Sequence, residues 1–312
     1  MECLRPAPAA LARRAGRKLG RPRLLIIGCG DVGLRIVSRL AARFRLIALT
    51  STPQRVGLLR AAGVVPIVGD LDRAATLARL RGAAPWLLHL APPGNAGSHD
   101  GRTRRLAARL AGSTRRAVYI STSGVYGDHS GRAIDETVRL RPANERALRR
   151  LDAERTMRSR LGAVVLRVPG IYAHDRLPLE RLRQRLPALA AADDVFTNHI
   201  HADDLARSTI AALLRGRATR VINTVDDSAL AMGDYFDAVA DAHQLPRPPR
   251  LPRAELKAAV SPMMYSFMTE SRRLSNRRLK RELRIRLRYP TVASTLAECR
   301  AMQANGPEGP LP

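Results

Sequence analysis

The residues GCGDVG at positions 28–33 set Gly28, Gly30 and Gly33 in the spacing G-x-G-x-x-G, directly after the apolar run RLLII and directly before a helical pattern. That context gives each glycine a task. Gly28 permits a tight turn, Gly30 lets the backbone approach a pyrophosphate, and Gly33 allows the helix to pack close to the strand. The free N–H groups at the helix N-terminus then meet the phosphates. Dinucleotide binding is the chemistry this predicts, with Cys29, Asp31 and Val32 completing the loop. In such sites an acidic residue about 20 positions beyond the first glycine holds the ribose 2′-hydroxyl. Here that region reads Thr50, Ser51, Thr52, without a carboxylate, and Arg55 follows. An arginine suits a 2′-phosphate, so NADP(H) is expected in preference to NAD(H), which stays possible.

A second stretch, ISTSGVYGD at 120–128, places three hydroxyls in a row before Gly124 and Tyr126, where an apolar strand ends. Thr122 and Tyr126 could together face a substrate carbonyl; the alternative for Tyr126 is that its ring packs beneath the C-terminal region. His89, His99 and His129 also fall near strand ends and are expected to be solvated. Cys3, Cys29 and Cys299 are widely spaced and form no metal-ligand pattern, so no metal is expected and a reducing cytoplasm suits the chain.

Short apolar runs alternate with helical patterns from Arg23 onwards: RLLIIG, RLIALT, VVPIVGD, PWLLHLA, RAVYISTS, GAVVLRVPG and RVINTVDD read as strands. Helical patterns lie between them, including ATLARLRG, RTRRLAARLAG and residues 143–160. Strands that are apolar throughout, separated by helices, mean a parallel sheet covered on both faces. The expected fold is α/β, a Rossmann-type doubly wound parallel sheet with a smaller, mostly helical C-terminal substrate lobe. Residues 1–22 are expected to form a disordered basic extension and 23–225 the NAD(P)-binding domain, with a substrate-lobe insertion at about 170–200. Residues 226–312 should form the substrate lobe.

The net charge of +27, from 54 basic and 27 acidic residues, invites a nucleic-acid reading. Lysine occurs only at 18, 257 and 280, however, and the arginines are spread along the chain beside abundant alanine. The Cys/His finger spacing, aromatic-glycine signatures and heptads of the common nucleic-acid modules are absent. No specific nucleic-acid partner is expected, only salt-sensitive adhesion to polyanions. The apolar runs are too short to cross a membrane. The most basic segment, SRRLSNRRLKRELRIRLR at 271–288, puts Leu279 and Leu283 on one helical face, and Ile285, Leu287 and Tyr289 then alternate as in a strand.

The order of these motifs resembles the extended short-chain dehydrogenase/reductase superfamily, the NAD-dependent epimerase/dehydratase type. The matching pieces are GCGDVG, GDLD at 69–72, HLAPP at 89–93, STSGVYGD, LRVPGIYA at 166–173 and NHIHADDLA at 198–206. SRRLSNRRLKRELRIRLRYPT at 271–291 resembles the C-terminal signature of an atypical bacterial subgroup, the YeeZ-like proteins. The resemblance implies that Asp70 and Leu71 border the adenine and that Leu90, Ala91 and Pro92 line the cleft near the nicotinamide ribose. It further implies that Thr122 bonds a substrate oxygen and that Pro169 and Gly170 form the turn beside the nicotinamide. His201 and Asp203 match a corner with a structural role.

One departure matters. Catalytic members carry Tyr-x-x-x-Lys on the helix after the fifth strand, and the family spacing puts Arg146 and Arg150 at those positions. An arginine neither gives nor takes a proton near neutrality. Arg150 could still bond the ribose. The expected function is an atypical NAD(P)-binding oxidoreductase or epimerase-like protein acting on a small molecule, as a monomer or homodimer. The alternative is a non-catalytic protein that senses NADP(H).

Overall fold

The computed structural model describes residues 20–304, so most of the expected basic extension at 1–22, and Cys3 with it, lies outside the described residues. The first half of the chain runs β1 (Arg23–Ile27), α1 (Asp31–Leu40), β2 (Arg45–Thr50), α2 (Val56–Ala61), β3 (Val65–Val68), β4 (Trp86–His89) and α3 (Gly101–Leu110). It continues with β5 (Arg116–Thr122), α4 (Glu145–Leu161), β6 (Val164–Val168), α5 (Ala202–Arg215) and β7 (Val221–Asn223). These seven strands form one sheet in the order β7-β6-β5-β4-β1-β2-β3, every neighbouring pair parallel. Strand order reverses between β1 and β4. A crevice for a ligand opens at that point, outside the carboxyl ends of the strands.

The alternation within each strand explains why both faces are covered. Leu24 and Ile26 of β1 pack with Ile36 and Val37 of α1 and Leu205 of α5. Leu25 and Ile27 point the other way, to Leu106 of α3 and Met157 of α4. Burying each such side chain contributes about 1.5–3 kcal/mol. No strand of the sheet can then slip by one residue without moving an apolar set into the wrong layer. Segment 74–80, expected as an α-helix, is a 3₁₀ helix, with Leu77 and Leu80 turned into the second layer.

α4 positions two of the residues that concern the site. Its start is fixed by Asn144, whose side chain accepts from the Ala147 N–H at 2.9 Å, and its end by Gly162 in the left-handed conformation, φ 60°. Arg146 and Arg150 therefore lie in its first turns, near the carboxyl end of β5.

Beyond the sheet, the C-terminal helices Met232–Ala242, Arg253–Ala259 and Val292–Ala304 enclose a smaller core that includes Leu182, Phe236, Val239, Leu256 and Leu296. The strand expected over 285–289 is irregular. Its apolar side chains are buried in alternation, but the N–H groups of Arg288 and Tyr289 donate to the buried Asp204 carboxylate at 3.0 and 2.8 Å instead of to a strand. No helix among the described residues is long and apolar enough to cross a membrane.

Candidate functional site

The glycine loop leaves β1 with Gly28 at φ +83°, and a Cβ there would lie 2.5 Å from the Ala91 nitrogen. Only glycine fits, since both the left-handed backbone and the neighbouring chain exclude a side chain. Gly30 differs: its φ is negative, −83°, and a Cβ would meet nothing within 4 Å. Open space in front of Gly30, at the first turn of α1, is the room a diphosphate needs to reach the backbone.

That space belongs to a cavity of about 440 Å³ along the carboxyl ends of four strands. Gly28, Cys29 and Gly30 line it from β1, Thr50 and Ser51 from β2, Asp70 and Leu71 from β3, and Leu90, Ala91 and Pro92 from β4. Arg55 crosses its mouth, donating from Nη2 to the Cys29 carbonyl at 2.8 Å. Burial raises the Cys29 thiol above its ordinary pKa against a smaller opposing effect of Arg55, so this is no activated thiolate. Asp31, Val32 and Gly33 run on into α1 and do not line the cavity. The Asp31 carboxylate is held by Arg35 at 3.0 Å and Arg176 at 2.9 Å. The two arginines offset its charge at the start of α1.

A second cavity, also about 440 Å³, lies past β5 and β6. Thr122, Pro169 and Gly170 line it, as does Arg146 from α4. Thr122 accepts from the Gly124 N–H at 3.2 Å, which leaves its own proton free to be donated. Arg150 faces elsewhere: its Nη1 donates to Tyr119 Oη at 3.2 Å and to the Ile120 carbonyl at 3.1 Å.

Tyr126 is corrected by its surroundings. It is fully buried, its hydroxyl donates to Asn223 Oδ1 at 2.7 Å, and the Arg167 guanidinium lies over its ring. It lines neither cavity, so it is not placed to face a carbonyl. Nor are His89 and His129 solvated. His89 is fully buried, with Nε2 2.9 Å from Thr103 Oγ1, and burial, helped by Arg150, lowers its pKa to about 3. His129 is buried against the Tyr126 carbonyl at 3.2 Å, while His99 is exposed and 3.4 Å from Asp152. His201 stacks on Tyr289 with centroids 3.7 Å apart and caps α5, and Asp203 pairs with Arg35 and Arg39, which is the arrangement of a structural corner.

Several lining residues of the second cavity have no motif to announce them. Tyr235 is 7% exposed, lies with its ring 4.2 Å from that of His199, and makes no hydrogen bond through its hydroxyl among the described residues. Burial raises its phenol well above the ordinary range and lowers His199 to about 4. Glu270 and Arg272 pair at 2.8 Å on the wall. Met264 and Phe267 come from the methionine-rich segment Pro262–Phe267, while Met268 is core. Tyr235, Met264, Phe267 and Glu270 come from segments over 100 positions after β5, while His199 and Arg272 fall inside the motifs at 198–206 and 271–291, which gave no sign that they line a cavity.

No protein-family model matches the chain, and neither does any curated protein sequence. Solved structures do. A functionally unknown conserved protein from Silicibacter pomeroyi DSS is 30% identical, over 90% of this chain and 98% of that one, with a TM-score of 0.76. A candidate NAD-dependent epimerase/dehydratase from Methylobacillus flagellatus is 24% identical over 91% of this chain and 100% of its own, with a TM-score of 0.69. UDP-glucuronic acid 4-epimerase from Bacillus cereus, in complex with NAD, is 18% identical over 90% and 97%, also at 0.69.

Proposed function

The chain belongs to the same family as the functionally unknown Silicibacter pomeroyi protein and has the fold of NAD-dependent epimerases, and on that premise we propose that it is an atypical NADP(H)-preferring oxidoreductase or epimerase-like protein acting on a small molecule. The observation that carries this reading is the open space in front of Gly30, continuous with a cleft lined from the ends of β1 to β4. The segment at 271–291, which resembles the C-terminal signature of the YeeZ-like proteins, supports placing the chain with that subgroup.

In this reading the N–H groups at the start of α1 hold the diphosphate. Asp70 and Leu71 flank the adenine, and Thr50, Ser51 and Arg55 take the 2′-phosphate, with no carboxylate at the end of β2 to repel it. A nicotinamide cofactor held by these residues would supply or accept a hydride. Thr122 donates to the substrate oxygen that changes charge. Tyr235 supplies the proton, because it is the phenol that lines the cavity; burial keeps it protonated before the step but makes it a weaker acid than a free phenol. Arg150 holds the end of β5 through Tyr119 and Ile120.

A titration of the purified protein with NADPH and NADH tests the first half, and tighter binding of NADH would overturn the NADP(H) preference. Consumption of NADPH over a panel of carbonyl compounds and nucleotide sugars tests the second. A specific observation favours the non-catalytic alternative: Arg146 lines the second cavity where the family spacing puts the proton-transferring tyrosine. Tight NADPH binding without turnover on the panel would select that sensor.

A further inference from the structure

We propose that the second cavity takes a molecule with one anionic oxygen group, a carboxylate, on an apolar body, and that Arg146 binds that group. The inference rests on this cavity being the substrate site of the function proposed above.

The charges that line the cavity do not balance. Arg272 donates from Nη1 to Glu270 and to the Gly127 carbonyl, both at 2.8 Å, so this arginine and glutamate neutralise each other. Arg146 is left over without an ion pair of its own, although Glu270 also attracts it at longer range. Among the described residues it makes no hydrogen bond and no ion pair, and its guanidinium lies on the Phe267 ring, 4.2 Å from the centroid. His199, the remaining titratable base on the wall, is neutral above its lowered pKa of about 4. The surplus is therefore a single positive charge, partly withdrawn from water. A second indication points the same way: Arg272 is 8% exposed, and its Nε is buried without a partner on the same wall.

A surplus of one charge matches a monoanion. The planar fork of Arg146 presents paired N–H groups, the geometry a carboxylate meets with two parallel bonds. Phe196, Phe236, Phe267, Met232 and Met264 make the rest of the wall apolar, and about 440 Å³ is within the range of small-molecule sites, roughly 300–1,000 Å³. The residue that removed the usual proton donor thus supplies an anchor in its place. A phosphate monoester shares the chemistry but brings up to two charges, one more than the wall offsets.

The test uses the full chain loaded with NADPH and three matched probes, phenylacetate, phenylacetamide and phenyl phosphate, with affinities measured by ligand-observed NMR. Phenylacetate should bind at least about tenfold more tightly than its neutral amide. Arg146→Gln should bring the two within about twofold, and Arg146→Lys, which keeps the charge but not the fork, should fall between. NADPH affinity should be the same in all three proteins. Equal binding of acid and amide, no phenylacetate binding at millimolar levels, or a preference that survives in Arg146→Gln overturns the proposal. Tighter binding of phenyl phosphate than of phenylacetate overturns the carboxylate assignment. Failure to bind NADPH with the phenylacetate preference intact would instead count against the hydride-transfer reading alone.

Discussion

Arg146 and Arg150 stand one turn apart on α4, yet their guanidinium groups serve different surfaces. Arg146 rests on the Phe267 ring inside the second cavity, 4.2 Å from its centroid, and Arg150 bonds Tyr119 Oη and the Ile120 carbonyl on β5 at 3.2 and 3.1 Å. Where the sequence resemblance implies a proton-transfer pair, the helix carries one arginine on the cavity wall and one bonded to β5. Four measurements follow from that site and its supports.

Gly30→Val and Gly28→Ala should separate binding from folding. A Cβ at 30 would enter the space in front of the loop with no protein atom within 4 Å, so NADP(H) binding should be lost with little change in unfolding temperature. At 28 the left-handed backbone alone costs about 1–2 kcal/mol, and the close approach to Ala91 adds to it. Denaturant unfolding of the two variants checks the contrast, and equal stability would contradict it.

Arg55→Ala should lower NADPH affinity by about ten- to a hundredfold, since a bond to a charged group contributes about 1.5–3 kcal/mol. NADH should change much less, because it has no 2′-phosphate for the Arg55 guanidinium to meet. A parallel loss for both cofactors would assign Arg55 to loop support.

Tyr126→Phe and Tyr235→Phe should have opposite effects. Removing the Tyr126 hydroxyl leaves the Asn223 Oδ1 without its donor in a buried place, costing about 1–3 kcal/mol of stability with turnover per folded molecule unchanged. Removing the Tyr235 hydroxyl should leave stability nearly intact and lower turnover by about 10²–10⁴. Thermal unfolding and initial rates on the same preparations decide; a Tyr235 variant of full activity would return the proton to solvent.

Stability should fall as the solution is acidified from pH 6.5 towards 4.5. Burial lowers His89 to about 3 and His199 and His201 to about 4, so the native state refuses protons that the unfolded chain takes up below its ordinary 6.5. Asp226 works against them. Burial lifts it to about 7 from 3.8, so it favours the native state more as pH falls through that range. Glu136, raised by burial, joins Asp226, and His243, lowered by burial, joins the histidines, so four histidines less two carboxylates leave at most a net two protons, roughly 2–3 kcal/mol per pH unit near pH 5. Urea midpoints that rise or stay level over this range would refute the balance.

The chain's own sequence determined the sheet. All seven strands, and the glycine loop between the first strand and first helix, follow from apolar runs and turn chemistry that act over a few residues. The same locality explains why Gly28, Thr50, Asp70 and Leu90 could be assigned to one crevice: in a parallel sheet, the carboxyl end of each strand leads to the same edge. Tertiary structure alone decided where side chains at those ends point. Tyr126 sits four residues past Thr122, but a 3₁₀ turn at Ser123–Tyr126 carries it under the sheet edge to Asn223, nearly a hundred positions away. The cavity that Thr122 lines is completed by Tyr235, which belongs to the C-terminal core, and by Phe267, Glu270 and Arg272 from the chain that follows it. No short-range pattern encodes such a meeting, because its energy comes from burying surfaces that are distant along the chain.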